Sequence, residues 1–408
     1  MKIKTIEDFN FRDKTVLVRV DFNSPVDPQS KKILEDTRIR AHGETTIKDL
    51  LSKGAKVVVL AHQGRPGEPD FIPLDQHAQI LSKILGKLAK YVDDLYGEKA
   101  VKAIKALRGG EVLVLKNVRT YADEQKKRTA DEHAQTDFIR SLAATADFFV
   151  NDAFASAHRA HASIVGFTVG LPSVAGRIME RELNALGKAL ESPEKPCTYI
   201  LGGAKADDAL RISRYVLDNN IADKILTGGI AAQLFLAAKG FELGKLNTQL
   251  LEKKELTPFI SGIKELIQQH PSSVETPSDL ALDVNGKRGE IKVGQLPTDY
   301  AVCDIGAETI KHYRDIIRDS KSIVVSGPMG IYESQEFMNG TRLVLSAVAE
   351  SEAFSLVGGG HTVAAVKQFG LQKQMGYIST AGGALIEFLM GEKLPGVAAL
   401  ESASEAHK

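Results

Sequence analysis

Ten short apolar runs punctuate this chain, and each hands over to glycine or polar residues and then to a stretch with helical spacing. They cover residues 16–22, 57–61, 112–115 and 148–150 in the first half, and 199–201, 225–226, 301–305, 323–325, 354–357 and 377–379 in the second. Runs this short and this rich in Val, Ile and Leu read as strands buried on both faces of a parallel sheet. Residues 80–89 and 309–318, which lie between runs, place apolar side chains at helical intervals. Alternation of strand and helix leaves an α/β architecture, with parallel sheets covered by helices on both faces.

At 408 residues the chain is long enough for two or three domains. Met179, Leu183, Leu186 and Leu190 step by four, three and four, which predicts one helix from about Gly176 to Leu190. Ser192-Pro193-Glu194-Lys195-Pro196 then stops it. Residues 1–175 hold 10 glycines, 10 arginines and 6 histidines, while residues 176–408 hold 25, 8 and 4. One half carries fixed cations and the other flexible backbone, so two lobes with different ligands are expected. The 52 basic and 52 acidic side chains cancel, which argues against a general grip on nucleic acid or an anionic membrane. Cys197 and Cys303 stand alone, without metal-ligand spacing or a disulfide framework. The first residues lack the apolar core of a signal peptide, and a cytoplasmic protein is the expectation.

Ligands of open α/β sheets bind beyond the carboxyl ends of the strands. In the first half these ends deliver Asp21 and Asn23, then His62 and Arg65, then Lys116, Asn117 and Arg119, then Asn151-Asp152 followed by His158-Arg159-Ala160-His161; Arg38 follows the first strand's loop. Guanidinium forks match phosphate and carboxylate oxygens, and an Asp/Asn pair suits a hydroxyl. The ligand expected is small, polyanionic and hydroxylated. Taken singly, each arginine also suits a solvated surface, His62 or His158 a packed position, and Asp152 a helix cap.

The second half repeats glycine turns after its strands: Gly202-Gly203-Ala204-Lys205, Thr227-Gly228-Gly229, Ser326-Gly327-Pro328-Met329-Gly330 with Glu333 beyond, Gly358-Gly359-Gly360-His361-Thr362, and Thr380-Ala381-Gly382-Gly383. Glycine lets backbone N–H groups approach phosphate oxygens, and helix N-termini favour anions. Tight strand-to-helix turns also need glycine for purely structural reasons. With neither a Walker loop nor a clean dinucleotide fingerprint, the set points to a mononucleotide, with Lys205 as a point charge beside its phosphates.

Together these segments resemble the phosphoglycerate kinase family. The resemblance is carried by Arg19-Val20-Asp21-Phe22-Asn23-Ser24-Pro25, Asp36-Thr37-Arg38-Ile39, His62-Gln63-Gly64-Arg65-Pro66, Asn117-Val118-Arg119 and Ala157-His158-Arg159-Ala160-His161-Ala162-Ser163. In the second half it rests on Gly202-Gly203-Ala204-Lys205, Gly327-Pro328-Met329-Gly330-Ile331-Tyr332-Glu333 and Gly358-Gly359-Gly360. It implies two Rossmann-like lobes: residues 1–175 for 3-phosphoglycerate, a joining helix over 176–190, residues 191–385 for the nucleotide, and a tail over 386–408 packing back near the first lobe. It implies Mg²⁺-dependent exchange of a phosphoryl group between 1,3-bisphosphoglycerate and ADP, giving 3-phosphoglycerate and ATP. Asp21, Asn23, Arg38, His62, Arg65, Arg119 and Arg159 would bind 3-phosphoglycerate. Gly203, Lys205, Gly228, Gly229, Pro328, Glu333 and Gly358, Gly359, Gly360, His361 and Thr362 would serve the nucleotide. Arg38 and Lys205 would flank the transferring group, and bringing the lobes together would exclude water.

Departures from the family pattern fall on the nucleotide side. His361 stands where an Asp is common, Ala209 where a Lys is common, Ser326 before Gly-Pro, and Ala381 in the late glycine triplet. These resemble the archaeal branch, and they leave Asp208 as the carboxylate for Mg²⁺, through water. The alternatives are a nicotinamide-dependent oxidoreductase, for which no fingerprint loop exists, and a binding protein that does not turn its ligands over. Monomer and homodimer both remain open.

Overall fold

The computed structural model describes residues 2–406. The chain folds as two units, one formed by the residues up to Leu183 together with those from Lys393 onward, the other by Asn184–Glu392.

The first unit is built on six parallel strands: β1 (Thr15–Arg19), β2 (Lys56–Leu60), β3 (Ala89–Tyr91), β4 (Val112–Val114), β5 (Phe148–Asn151) and β6 (Ser173–Ala175), in the order β3-β4-β2-β1-β5-β6. Successive side chains alternate between faces. Val16, Val18, Val57, Val59 and Val112 pack with Leu50, Leu74 and Leu81 on one side. Leu17, Val58, Leu60, Leu113 and Phe149 pack with Ile104, Phe138 and Phe167 on the other. Each such side chain contributes ~1.5–3 kcal/mol of burial, and continuous apolar runs are therefore what a sheet covered on both faces requires. Strand order reverses about β1, so the ends of β2, β1 and β5 open onto one crevice.

The second unit contains β7 (Cys197–Leu201), β8 (Lys224–Thr227), β9 (Val274–Glu275), β10 (Asp279–Val284), β11 (Lys287–Lys292), β12 (Ala301–Ile305), β13 (Ser322–Ser326), β14 (Phe354–Gly358) and β15 (Tyr377–Ile378). Six of them form a parallel sheet in the order β15-β14-β13-β7-β8-β9. Residues 301–305 depart from the expectation of a parallel strand. They form β12, which pairs antiparallel with β10 in a separate sheet, β11-β10-β12. The reason is local: Asn285 and Gly286 adopt φ of +54° and +83°, the two left-handed positions of a tight hairpin turn between β10 and β11.

The helix expected over 176–190 runs as an α-helix over Arg177–Leu186, then widens into a π-helical turn over Gly187–Glu191. Asp152 caps it, its Oδ1 accepting from the backbone N–H of Ile178 at 2.8 Å and of Met179 at 3.2 Å. The division between units falls inside this helix. The helix Pro395–Ala406 belongs to the first unit, where Gly396 N–H donates to Ala157 O at 2.8 Å and Ser404 Oγ accepts from Lys4 N–H at 3.0 Å. Among the described residues no helix is long and apolar enough to cross a membrane.

Candidate active site

In the first unit, cations from four strand ends and one loop converge. Arg19, the last residue of β1, is buried. Its Nε donates to Ser163 Oγ at 2.8 Å, its Nη2 contacts His62 Nδ1 at 3.2 Å, and its Nη1 donates to Val20 O. Arg38 Nη1 pairs with Asp21 Oδ2, with Asp21 buried and the arginine side chain 42% exposed. Asn23 N–H donates to Asp21 Oδ1 at 3.1 Å, and Asn23 Oδ1 accepts from Gly64 N–H at 2.8 Å. Arg119 Nη1 donates to Gly64 O, tying the third strand end to the same turn. Arg159 Nε donates to His158 Nε2 at 3.0 Å, and Arg65 is exposed at the rim.

The electrostatics show that these groups share one field. Burial pushes His62 well below its usual range, and the charges of Arg19, Arg119 and Arg38 push it further. Arg119 is lowered to about 10 by burial and then by Arg19, Arg159 and Arg65. His161 falls to about 3, by burial and then by Arg19, Arg159 and Arg119. Cations crowded this closely repel one another, and a polyanion relieves the repulsion. One acid balances them from behind: Glu124, 1% exposed, is raised to about 7 by burial against the opposing pull of Arg19.

In the second unit the glycine turns enclose two adjoining cavities. One, of about 220 Å³, is mostly apolar, with Ile230, Leu250, Leu280, Ile331 and Tyr332 in its walls and Glu333 and His361 at its edge. The other, of about 510 Å³, is lined by Lys205, Asp208, Gly327, Gly360 and Thr362, among others. Gly203, Pro328 and His361 belong to both. Two helices, Ala206–Asp218 and Gly360–Gln368, begin at the larger cavity, so their unsatisfied N–H groups favour negative charge there. Thr362 Oγ1 accepts from Gly327 N–H at 2.7 Å and holds one turn against the next.

A family model described as phosphoglycerate kinase matches residues 6–392. The chain belongs to the phosphoglycerate kinase family. The enzyme named phosphoglycerate kinase from Methanothermobacter thermautotrophicus is 46% identical over 400 residues, spanning 98% of this chain and 97% of that one. The one from Pyrococcus abyssi is 44% identical over 405 residues, spanning 98% of each. The crystal structure of phosphoglycerate kinase from Pyrococcus horikoshii matches with a TM-score of 0.87 at 40% identity, covering 99% of this chain and all of that one. The structure from Coxiella burnetii gives 0.85 at 32% identity, with the same coverage. The motif resemblance to the phosphoglycerate kinase family is thus borne out, with archaeal relatives prominent.

Two glycines singled out for the nucleotide in this phosphoglycerate kinase fold line neither cavity. A Cβ on Gly228 would meet Met329, and one on Gly358 would overlap Leu385, so a side chain at either would not fit. Other residues behind the anion cluster were given no site role from the sequence: Arg19 and Ser163, present in the motifs, and His42 and Glu124. His42 Nε2 accepts from Asp21 N–H at 3.2 Å while its Nδ1 meets Asp152 Oδ2 at 2.5 Å. A signal existed for Arg19 alone, since an arginine inside an apolar strand run is a charge that must be paired when buried.

Proposed function

We propose that the chain catalyses the reversible transfer of a phosphoryl group between 1,3-bisphosphoglycerate and ADP, yielding 3-phosphoglycerate and ATP. The observation that carries this reading is the gathering of Arg19, Arg38, Arg65, Arg119, Arg159 and His62 around the Asp21–Asn23 pair. That set suits one phosphate, one carboxylate and one hydroxyl. Asp21, Asn23, Arg38, His62, Arg65, Arg119 and Arg159 are its proposed ligands in the first unit. In the second, the apolar cavity suits a base and ribose beside Glu333, and the polar one suits phosphates beside Lys205, Gly203, Gly359 and Gly360.

In the ATP-consuming direction the nucleophile is the carboxylate of 3-phosphoglycerate, ionised at neutral pH, so no general base is required. Rate then comes from orientation and from cancelling charge spread over the phosphoryl oxygens. Arg38 and Lys205 are the proposed cations for that charge, one from each unit.

Asp208 fits a magnesium ion carried in on nucleotide phosphates. It lines the larger cavity half-buried, and burial, then Asp207, raise its pKa, a cost a divalent cation offsets. No group of three or more His, Cys, Asp or Glu side chains suited to a metal occurs among the described residues. A magnesium ion on nucleotide phosphates keeps several of its waters and takes few protein carboxylates. When bound it supplies charge neutralisation at the transferring phosphates.

The test is ATP-dependent turnover of 3-phosphoglycerate, coupled to a dehydrogenase that reduces the acyl phosphate, with and without Mg²⁺. Magnesium-dependent turnover supports the reading. Tight binding of both ligands without turnover would replace it with a binding protein. The compartment proposed is the cytoplasm.

A further inference from the structure

Behind the anion cluster lies a hydrogen-bonded chain whose direction is set by chemistry. We propose that Glu124 and Ser163 are positioning residues that, acting through Arg19, hold His62 as its neutral Nε2–H tautomer. The inference rests on reading this cluster as the phosphoglycerate site.

A guanidinium only donates. Since Arg19 Nη2 lies 3.2 Å from His62 Nδ1, that nitrogen must accept, and the single proton of the neutral ring sits on Nε2. A second proton on Nδ1 would aim an N–H at an N–H. His62 is 6% exposed and surrounded by Arg19, Arg119 and Arg38, so the imidazolium is disfavoured on every side. The ring therefore offers one fixed N–H donor. In the other tautomer a lone pair would occupy that position and repel an anionic oxygen.

Something must keep the Arg19 fork pointed this way. Arg19 Nε donates to Ser163 Oγ at 2.8 Å, which is open to accept only while the hydroxyl proton is directed elsewhere. Glu124 provides for that: its Oε1 accepts from Ser163 Oγ–H at 2.6 Å and its Oε2 from Ser163 N–H at 3.0 Å. Above about pH 7, where Glu124 is ionised, its carboxylate has no proton to give and accepts both Ser163 donors, so the order Glu124, Ser163, Arg19, His62 runs in one sense there. Glu124 also stabilises the buried guanidinium, ahead of Asp21. The groups facing Glu124 are Arg19, Arg119, Ser163 and His161, whose Nδ1 stands at 4.0 Å.

The decisive experiment records long-range ¹H–¹⁵N spectra of the His62 ring in the full chain, beside the near-isosteric Glu124→Gln and the smaller Ser163→Ala, together with steady-state kinetics. The parent should show an Nε2–H ring that does not titrate from pH 5.5 to 8.5. Both variants should show mixed tautomers or a ring that titrates. KM for 3-phosphoglycerate should rise about tenfold or more, as expected when a hydrogen bond to a charged group is lost, while KM for ATP and kcat stay within about twofold. If Glu124→Gln does not fold, Ser163→Ala decides alone. An unchanged ring spectrum in the folded variants, or equal losses toward both substrates, overturns the proposal. Because the spectra need no turnover, a chain lacking kinase activity would sink the functional reading and leave this one standing on its own readout.

Discussion

The two units present opposite kinds of surface at their proposed anion sites. In the first, the proposed site is built of side chains, buried and locked together: Arg19, Asp21, His62 and Arg119 all fall below 9% exposure. In the second, the corresponding surface is backbone, with Lys205, Glu333 and His361 exposed around it. A compact, hydroxylated acid needs donors in a fixed three-dimensional arrangement, and preorganised guanidinium groups supply that at the cost of mutual repulsion. A nucleotide brings a long phosphate chain and a flat base, for which strand-to-helix turns and helix N-termini suffice. Substitutions should therefore hurt through lost side-chain chemistry in one unit and through distorted backbone in the other.

The largest effects are expected at the two cations assigned to the transferring group. Arg38→Ala and Lys205→Ala should each lower kcat by ~10²–10³, the usual cost of removing one preorganised charge donor. Arg38→Ala should leave KM for ATP unchanged and Lys205→Ala should leave KM for 3-phosphoglycerate unchanged. Arg38→Lys should recover little, because an ammonium does not reproduce the fork. If either alanine variant retains a tenth of the parental kcat, that residue does not face the transferring charge.

Next in size is a backbone lesion. Gly327 adopts a φ of +95°, and a Cβ there would overlap the backbone of Gly202. Gly327→Ala should destabilise the second unit by about 1–3 kcal/mol and weaken ATP at least tenfold, while calorimetry finds 3-phosphoglycerate binding intact. Parallel loss of both ligands would mean the units are not independent in recognition.

What could be read from the sequence follows the same division. The parallel core was legible because continuous Val, Ile and Leu runs have one good explanation. Short or polar edge strands were not: Ala89–Tyr91 and Ser173–Ala175 carry too few residues to show a pattern. The antiparallel sheet was misplaced although Asn285-Gly286 advertised its hairpin. In the site, Arg38, His62, Arg65 and Arg119 were visible as residues that end strands or follow them. Glu124 was not, because Asp123-Glu124-Gln125-Lys126-Lys127 has the composition of a solvated turn. Its burial depends on Ser163, 39 residues further along, and no local pattern reports such a contact.

Acid should separate the units more gently. His77 is lowered to about 4 and His161 to about 3, both chiefly by burial, and His62 lies well below the usual 6.5. Unfolding lets these rings take up protons, so stability should rise as pH climbs toward 6.5 and level off above it. Glu124, raised to about 7 from 4.5, acts with the opposite sign, since the folded chain keeps a proton the unfolded chain releases. Three histidines outweigh one glutamate between pH 4.5 and 6.5. The midpoint of the first unit's thermal transition, followed by methyl NMR of its core, should rise by about 5 °C or more across that window, and Glu124→Gln should steepen the rise. The second unit has no buried histidine among its described residues, so this contribution is missing there. A flat first-unit profile would show that its histidines are protonated inside the fold.

The smallest effect is the sharpest test of the comparison. His361 touches both cavities of the second unit, yet its side chain is 78% exposed and its only ion-pair neighbour among the described residues is Glu333 at 3.8 Å. An exposed pair of this kind contributes ~0–1 kcal/mol, and the N–H groups of the helix it begins survive any side-chain replacement. His361→Ala should therefore raise KM for ATP by less than about fivefold and leave kcat near the parental value. His62→Ala should by contrast raise KM for 3-phosphoglycerate about tenfold or more, since its N–H is part of a buried, fixed donor set. Steady-state kinetics on the two variants side by side measures the asymmetry directly. If His361→Ala costs as much as His62→Ala, the second unit also recognises its ligand through side chains. The glycine turns would then be a scaffold for that recognition and no longer its agent.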